Sequence, residues 1–268
     1  APAAAQGNGH GNAYGRFKST VSSSAPFWQP AQANTVFSGT GVRNFGSWLD
    51  HASVQDPGRG YVSFGFGLYK TPVYREIDLP SIDSGFGVTR RLQVGMSVPY
   101  YYANVTGDPG LHGFGDVYLT AKYQLREPTP KRAGFAVIPM VEVRIVAPPG
   151  GGSRVQWALP ASVERQFSRA RAMATGGYFS RGALFGTGAL EFEVGKRAWA
   201  TGALSYSYST RHDDLSAALG LHKARTDASG GLTYALSDDI AVYGSVGRTI
   251  SARGGHRAAL VSAPGVAF

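Results

Sequence analysis

Five charged residues stand at positions where this sequence could support chemistry, because each falls within a run that alternates apolar with polar residues. They are Lys122, Glu142, Arg144, Glu191 and Glu193. Alternate side chains of an extended strand face opposite sides, so all five lie on the polar side of their strands. Opposite charges on an enclosed face can pair and brace it, or they can form a charged constriction that selects small solutes. The sequence leaves both interpretations open.

Other arrangements that could support catalysis or metal binding are weak. His212, Asp213 and Asp214 are adjacent in a polar stretch, where a His–Asp set could act as acid and base or hold a cation. Such loop residues are usually only solvated. The six His residues are dispersed, and the absence of Cys excludes thiolate sites and disulfides. We therefore expect no enzyme, no catalytic residue, no metal and no cofactor.

The elements that must position the five charged residues are strands. From about residue 59 the apolar residues recur with a period of two, as in 92–100 and 117–124. The pattern predicts twelve strands. They span residues 59–70, 73–89, 91–105, 114–125, 133–147, 153–167, 169–181, 183–194, 197–209, 223–236, 239–249 and 256–268.

The C-terminus fixes the side on which each turn falls. The chain ends in an apolar alternating run that closes on Phe268, a terminal aromatic typical of bacterial outer-membrane barrels, where it serves as an assembly signal. Bacterial single-chain barrels have an even number of strands and short periplasmic turns. This rule predicts that 210–222 is one extracellular loop rather than a thirteenth strand. Ten or fourteen strands are the alternatives.

The composition agrees with a membrane barrel. No stretch approaches the roughly 18–20 consecutive apolar residues of a membrane helix, whereas a transmembrane strand needs only about 9–11. Gly is abundant at 37 residues, and there are 14 Tyr and 14 Phe, as expected for close-packed walls and interface aromatics. A soluble β-sandwich or propeller is disfavoured because there is no blade-length repeat. We predict an all-β, transmembrane, antiparallel up-and-down β-barrel over 59–268.

Residues 1–58 differ from the rest. They are rich in Ala, Gly, Ser and Asn, with Trp28 and Trp48 as isolated anchors. We predict an extended N-terminal segment that lies in the periplasm, plugs the lumen or binds a protein partner. The start at Ala1 leads us to expect a mature exported chain. The net charge of +9 comes from basic residues that are scattered rather than clustered, which argues against nucleic acid. Many fall in turns, where such charges are usually only solvated, and attraction to anionic lipid head groups is the second interpretation.

Three stretches resemble one family. Residues 85–100 form a strand, tight turn and strand around Arg90, and 113–125 begin Gly-Phe-Gly-Asp and end Lys-Tyr-Gln-Leu. Together with 236–247 they resemble the outer-membrane, transporter-like family of the MetA pathway of phenol degradation. Arg90 replaces the acidic or polar turn residue of that family. The resemblance implies an envelope barrel with a transport role, and it does not extend to residues 1–58.

We therefore expect an integral protein of the bacterial outer membrane. The first functional hypothesis is a channel or transporter for small solutes, with hydrophobic or aromatic compounds as the expected class. The alternative is a structural component of a larger envelope complex, with a lumen closed by ion pairs or by the N-terminal segment. Expected partners are outer-membrane lipid and lipopolysaccharide, the barrel-assembly machinery, and a protein bound through residues 1–58.

Overall fold

The computed structural model describes residues 49–72, 74–105, 110–145, 153–180, 182–210, 223–237, 240–254 and 259–267. These ranges contain fourteen strand segments and no helix. The segments are β1 Gly60–Lys70, β2 Tyr74–Gly87, β3 Leu92–Val105, β4 Leu111–Phe114, β5 Val117–Arg126, β6 Gly134–Val137, β7 Met140–Val143, β8 Val155–Gln166, β9 Ala170–Phe179, β10 Ala183–Gly195, β11 Ala198–Ser209, β12 Ala224–Ala235, β13 Ala241–Arg253 and β14 Ala259–Ala267.

The segments close into a ring of twelve antiparallel positions. β1 pairs with β14, so the sheet has no free edge there. β4 and β5 both pair with β3, and β6 and β7 both lie between β5 and β8. Each of these two pairs therefore occupies one position in the ring. The predicted fold class is confirmed, and the fourteen segments reconcile with the expected twelve strands.

Proline explains one of the two interruptions. Pro139 lies between β6 and β7 and has no N–H to donate to a neighbouring strand. Its carbonyl still accepts from the Ala121 N–H at 3.0 Å, and the preceding Ile138 N–H donates to the Pro160 carbonyl at 2.8 Å. The chain therefore keeps its place in the ring across the break, and the charged residues that follow stay on the predicted side.

The connections define two ends of the barrel. One end, here called the turn end, carries 88–91, 127–133, 167–169, 196–197 and 236–240. The other, the loop end, carries the longer connections 144–154 and 210–223. Short turns face the periplasm in bacterial barrels, so the turn end is the periplasmic one. β12 begins at Ala224, close to the predicted start at 223, whereas His212, Asp213 and Asp214 lie outside the described residues.

The wall is inverted relative to a soluble protein. On β10, Leu184, Leu190 and Phe192 point outward and are about half exposed, whereas Thr187 and Glu191 are buried. The same alternation of exposed apolar and buried polar residues recurs on most strands. So large an apolar exterior is stable only against hydrocarbon.

Within the part of the chain that the structure describes, no helix has the length and apolar character needed to cross a bilayer.

A charge placed on the outer wall should cost an amount that depends on depth. Leu204 lies near the middle of β11 and is 60% exposed, whereas Leu236 directly follows β12 at the turn end. We expect Leu204→Arg to lower the free energy of unfolding by about 2–4 kcal/mol and Leu236→Arg by about 0–1 kcal/mol. Guanidinium titration of the vesicle-inserted protein measures both. Equal losses would contradict a membrane midplane at Leu204.

Candidate functional site in the barrel lumen

The interior of the barrel is rich in charge, and the charge is mostly acidic. Of the residues that the structure describes, nine acidic and three basic ones are buried. They are Asp50, Glu76, Asp78, Asp83, Asp116, Glu142, Glu164, Glu191 and Asp227 against Lys122, Arg171 and Arg225. Buried charges need partners, because an isolated charge out of water is expensive. The arrangement of these groups is therefore the main feature of the lumen.

The five charged residues predicted from the sequence divide by depth. Lys122, Glu142 and Glu191 are buried on the inward side of their strands. Arg144 and Glu193 are half-buried, the first just beyond β7 at the loop end and the second near the turn end of β10. The five do not form one constriction, because they are distributed between the two halves of the barrel.

Lys122 is paired with a residue that the strand pattern did not identify. Its Nζ lies 2.5 Å from Oδ1 of Asp50 and 3.4 Å from the carbonyl oxygen of Ser53. Both partners belong to residues 49–56, here called the lumen segment, which precedes the first strand. Lys122 and Asp50 are both buried, so the pair joins the wall to a separate stretch of chain inside the ring.

The lumen segment is held by polar side chains of the wall. Glu164 accepts from the N–H groups of Ala52 and Ser53 at 3.1 and 3.2 Å and from the Ser53 hydroxyl at 2.9 Å. Further bonds join the segment to three other wall residues. They are Gln93, which accepts from the Gln55 N–H at 2.9 Å, Gln124, which donates to the Ala52 carbonyl at 3.1 Å, and Thr175, which accepts from the Asp50 N–H at 2.8 Å.

The segment enters from the turn end and reaches into the barrel. At the rim, the Gly58 N–H donates to the Gly87 carbonyl at 2.9 Å. A Cβ on Gly87 would lie 2.5 Å from the Gln55 carbonyl oxygen, so glycine permits this close approach. At the other end Leu49 is buried against an apolar cluster that includes Met173 and Tyr243. The predicted anchors Trp28 and Trp48 lie outside the described residues.

Arg171 forms the second charged centre of the turn half. One terminal nitrogen donates to Oε1 of Glu191 at 2.9 Å, and the other lies 3.6 Å from Oε1 of Glu164. Glu164 also lies 4.0 Å from Nδ1 of His51, a contact that carries charge on both sides only if the histidine is protonated. Glu164 thus links the wall to the lumen segment, and Arg171 links Glu164 to the predicted Glu191.

The loop half of the lumen is different in character. An apolar cluster lines the wall there, formed by Tyr118, Met140, Ala158, Phe179, Ala183 and Phe185. At its edge the Tyr118 hydroxyl donates to Oε1 of Glu142 at 2.6 Å. Farther around the ring, Nε of Arg225 lies 2.6 Å from Oδ2 of Asp227, and the Thr249 hydroxyl donates to Oδ1 of the same carboxylate at 2.7 Å. The loop half therefore contains a closely packed aromatic cluster, in which Tyr118 and Phe179 are each 1% exposed, together with paired charges.

The charged groups of the lumen are engaged with one another rather than grouped around a metal site. Among the described residues, no three His, Asp or Glu side chains are grouped so as to hold a metal ion. The charged groups instead pair with each other or with the lumen segment. Sequence reasoning missed Glu164 and Arg171, although parity within the predicted strands 153–167 and 169–181 places both on a polar side. It had no periodic signal for Asp50.

Removing Arg171 should destabilise the barrel strongly. Arg171→Met leaves the carboxylates of Glu164 and Glu191 buried without their shared guanidinium, and we expect a loss of about 3 kcal/mol in the free energy of unfolding. Arg171→Lys should restore part of it. Arg154→Met is the control, because Arg154 is exposed at the loop end, and it should change stability by less than about 0.5 kcal/mol. Guanidinium titration of the protein in vesicles measures the free energy of unfolding of each variant. Equal losses for the Arg171 variant and the control would contradict the pairing of Arg171 with Glu164 and Glu191.

The chain is similar in fold to solved outer-membrane barrels. An outer membrane channel from Pseudomonas putida F1 matches over 81% of this chain and 98% of its own length, with a TM-score of 0.63 and 11% identity. The NanC porin matches over 77% and 98%, with a TM-score of 0.56 and 10% identity. No protein-family model and no curated protein matches the sequence. The likeness confirms the predicted outer-membrane barrel fold, whereas the narrower resemblance to the phenol-degradation family stays a prediction.

Proposed function

We propose that the protein is a channel for small solutes across the outer membrane and that the lumen segment narrows its periplasmic half. The observation that carries the proposal is the way this segment is held. It lies inside a polar-lined barrel and is attached through side chains of the wall rather than through a strand ladder. A channel needs such an interior, polar enough to admit water and narrow enough to select.

Two features favour small solutes. A barrel of about twelve strands has a narrow interior that side chains can largely fill. In this barrel the turn half also contains the lumen segment, with Asp50, His51 and Ala52 all buried against the wall. A solute that passes must fit beside the segment or displace it. Either route limits the size of the cargo.

The loop half favours solutes with a hydrophobic or aromatic part. The apolar cluster around Phe179 and Phe185 faces inward, where a membrane barrel has no need of apolar side chains for contact with lipid. Tyr118 and Glu142 adjoin it and supply a hydroxyl and a carboxylate. An aromatic face beside polar groups is the usual composition of a small-molecule site. Phe179 and Phe185 are only 1% and 6% exposed, so we infer that cargo contacts this cluster where its side chains move apart, before it meets the lumen segment.

The contacts of the lumen segment make its release less costly than unfolding of the wall. Neighbouring strands are joined by continuous ladders, such as the twelve residue pairs between β10 and β11. The segment instead depends on side-chain hydrogen bonds, the Lys122–Asp50 pair and the packing of Leu49. Regions with few apolar contacts open at lower free energy than core strands. The segment is therefore the element of this barrel best suited to move.

Loss of the Lys122–Asp50 pair should favour the open channel. A charge-assisted hydrogen bond contributes more than a neutral one, so we expect Lys122→Gln to raise the open-to-closed ratio roughly tenfold. Lys131→Gln is the matched control, because Lys131 is exposed in a turn outside the lumen. Single-channel recording of the full chain in planar bilayers measures both. Bilayers that stay sealed for the wild type and for both variants would overturn the channel, whereas conductance unchanged by Lys122→Gln would overturn only the role of the segment.

A structural role is the second candidate, and the filled turn half of the lumen favours it. The Arg171–Glu191 pair and the lumen segment together occupy that half of the interior. A permanently closed barrel would then serve as the membrane component of an envelope complex, joined to its partner through residues 1–58.

Native extraction tests the structural candidate. We expect a stoichiometric complex from which the partner is lost when residues 1–48 are deleted, because this deletion keeps the lumen segment and its bonds to the wall. Size-exclusion chromatography with mass measurement provides the readout. A protein that is a monomer on native extraction, both with and without the deletion, would argue against this role.

A further inference from the structure

The net charge of this protein is divided between an acidic interior and a basic exterior. Among the residues that the structure describes, Glu127 is the one acidic side chain that is exposed. Sixteen of the described basic residues are exposed, and ten of them lie at the turn end. These ten are Arg59, Arg90, Arg91, Arg126, Lys131, Arg132, Arg165, Arg169, Lys196 and Arg197. This rim therefore has a single sign of charge over most of its circumference.

The rim is densest around β6. Arg126 on β5 pairs with Phe135, which in turn pairs with Val163 on β8. Arg165 lies two residues beyond Val163, so Arg126 and Arg165 flank the same short strand. Two strand spacings separate their backbones by roughly 10 Å. Their guanidinium groups can thus approach one ligand from two sides.

A bulge directs Arg126 to the outer surface. The register of β5 against β6 shifts between Gln124, which is buried and faces the lumen, and Arg126. Without that shift, the two-residue period would place Arg126 inside. Its Nε donates to the Ala133 carbonyl at 2.6 Å, which uses one of the five N–H donors of the group and fixes its position.

Aromatic rings place these arginines at the boundary of the membrane. The Arg126 guanidinium lies 4.5 Å from the centroid of the Phe135 ring, and that of Arg165 lies 5.7 Å from the Phe167 ring. Phe135 and Phe167 are 41% and 46% exposed on the outer wall. Aromatic residues form girdles at the interfaces of membrane barrels. Cations stacked on them therefore stand at the level of the lipid head groups.

The turn that carries Arg132 has a defined shape. Thr129 and Arg132 exchange backbone hydrogen bonds at 2.9 and 3.2 Å, and the Thr129 hydroxyl accepts from the Arg132 N–H at 3.1 Å. The turn also folds back onto β6, where a Cβ on Gly134 would meet the Pro128 ring at 2.6 Å. The turn therefore fixes the backbone of Arg132 directly before Ala133, whose carbonyl accepts from Arg126.

We propose that this rim is a binding site for the phosphate of an anionic glycerophospholipid in the periplasmic leaflet. Arg126, Arg132, Arg165 and Arg169 supply the charge, and Phe135 and Phe167 contact the acyl chains. Arginine suits this role because its planar fork bonds two phosphate oxygens at once. The proposal does not depend on whether the barrel conducts.

Native mass spectrometry of the delipidated full chain tests the site. Phosphatidylglycerol or phosphatidylcholine is added in a neutral detergent, and bound lipids are counted. We expect the wild type to prefer phosphatidylglycerol and the Arg126→Gln/Arg165→Gln variant to bind it roughly tenfold more weakly. The control, Lys70→Gln/Arg75→Gln, removes two exposed charges from the loop end and should keep most of the binding. Arg126→Lys/Arg165→Lys should retain intermediate binding.

Three results would overturn the proposal. The wild type could bind both lipids equally, or the loop-end control could lose as much phosphatidylglycerol as the rim variant. A parallel titration with lipopolysaccharide distinguishes the source of the phosphate: if the rim variant loses lipopolysaccharide and keeps phosphatidylglycerol, the periplasmic leaflet is the wrong assignment. Heat-modifiability on gels shows in each case whether the variant is folded. If Arg126→Gln/Arg165→Gln does not fold, the lipid binding of Arg126→Lys/Arg165→Lys is compared with that of the wild type instead.

Discussion

The rest of the structure depends on the need to pair every backbone N–H and C=O group within a hydrocarbon layer. Hydrocarbon offers no hydrogen bonds, so a spanning sheet must close on itself. The pairing of β1 with β14 achieves this closure. A closed ring has an inside and an outside, and strand periodicity then assigns each residue to one of them. The outer set must be apolar where lipid touches it, which leaves the interior as the place for polar side chains at membrane depth.

Enclosure then determines how the interior charges are arranged. A carboxylate inside the ring costs free energy unless it is paired or hydrogen-bonded. Arg171 meets this need for Glu191 and approaches Glu164 from the wall itself. Lys122 has its partner elsewhere, in Asp50 of the lumen segment. The turn half of the lumen is therefore complete only when residues 49–56 are included, and the segment is part of the electrostatic structure of the wall.

The fold could be predicted from the sequence because each strand carries its own signal. The alternation in residues 117–124 is local, and the even-number rule supplied the count. Neither broken strand was predicted from the alternation; at the β6–β7 break, Pro139 interrupts the strand without removing the chain from the ring. The inward set was only partly predicted. Glu142 and Glu191 stand between large apolar neighbours and are conspicuous, whereas Glu164 and Arg171 follow the same parity in strands with weaker apolar contrast.

Residues 49–56 could not have been placed from sequence by any periodic argument. Their bonds are made by backbone N–H and C=O groups to distant side chains, such as Ala52 to Glu164 and Gln55 to Gln93, and backbone groups are the same in every sequence. Asp50 alone carried a chemical hint, as a lone acid after a stretch of 49 residues without one.

Net charge is a poor guide to partners for the same reason. The total of +9 suggests a polyanion, yet it combines two populations that never face the same medium. Among the described residues, nine acids and three bases are enclosed in the lumen, whereas most of the other basic residues are exposed, and one residue of register decides between these places. The bulge between Gln124 and Arg126 illustrates this. The Gln124 side chain faces the lumen and donates to the Ala52 carbonyl, whereas the Arg126 side chain is exposed on the outer surface. In a closed sheet, the alternation of residues along each strand, and the bulges that shift it, therefore decide which charged side chains face the lumen and which face outward. The overall composition does not show this division.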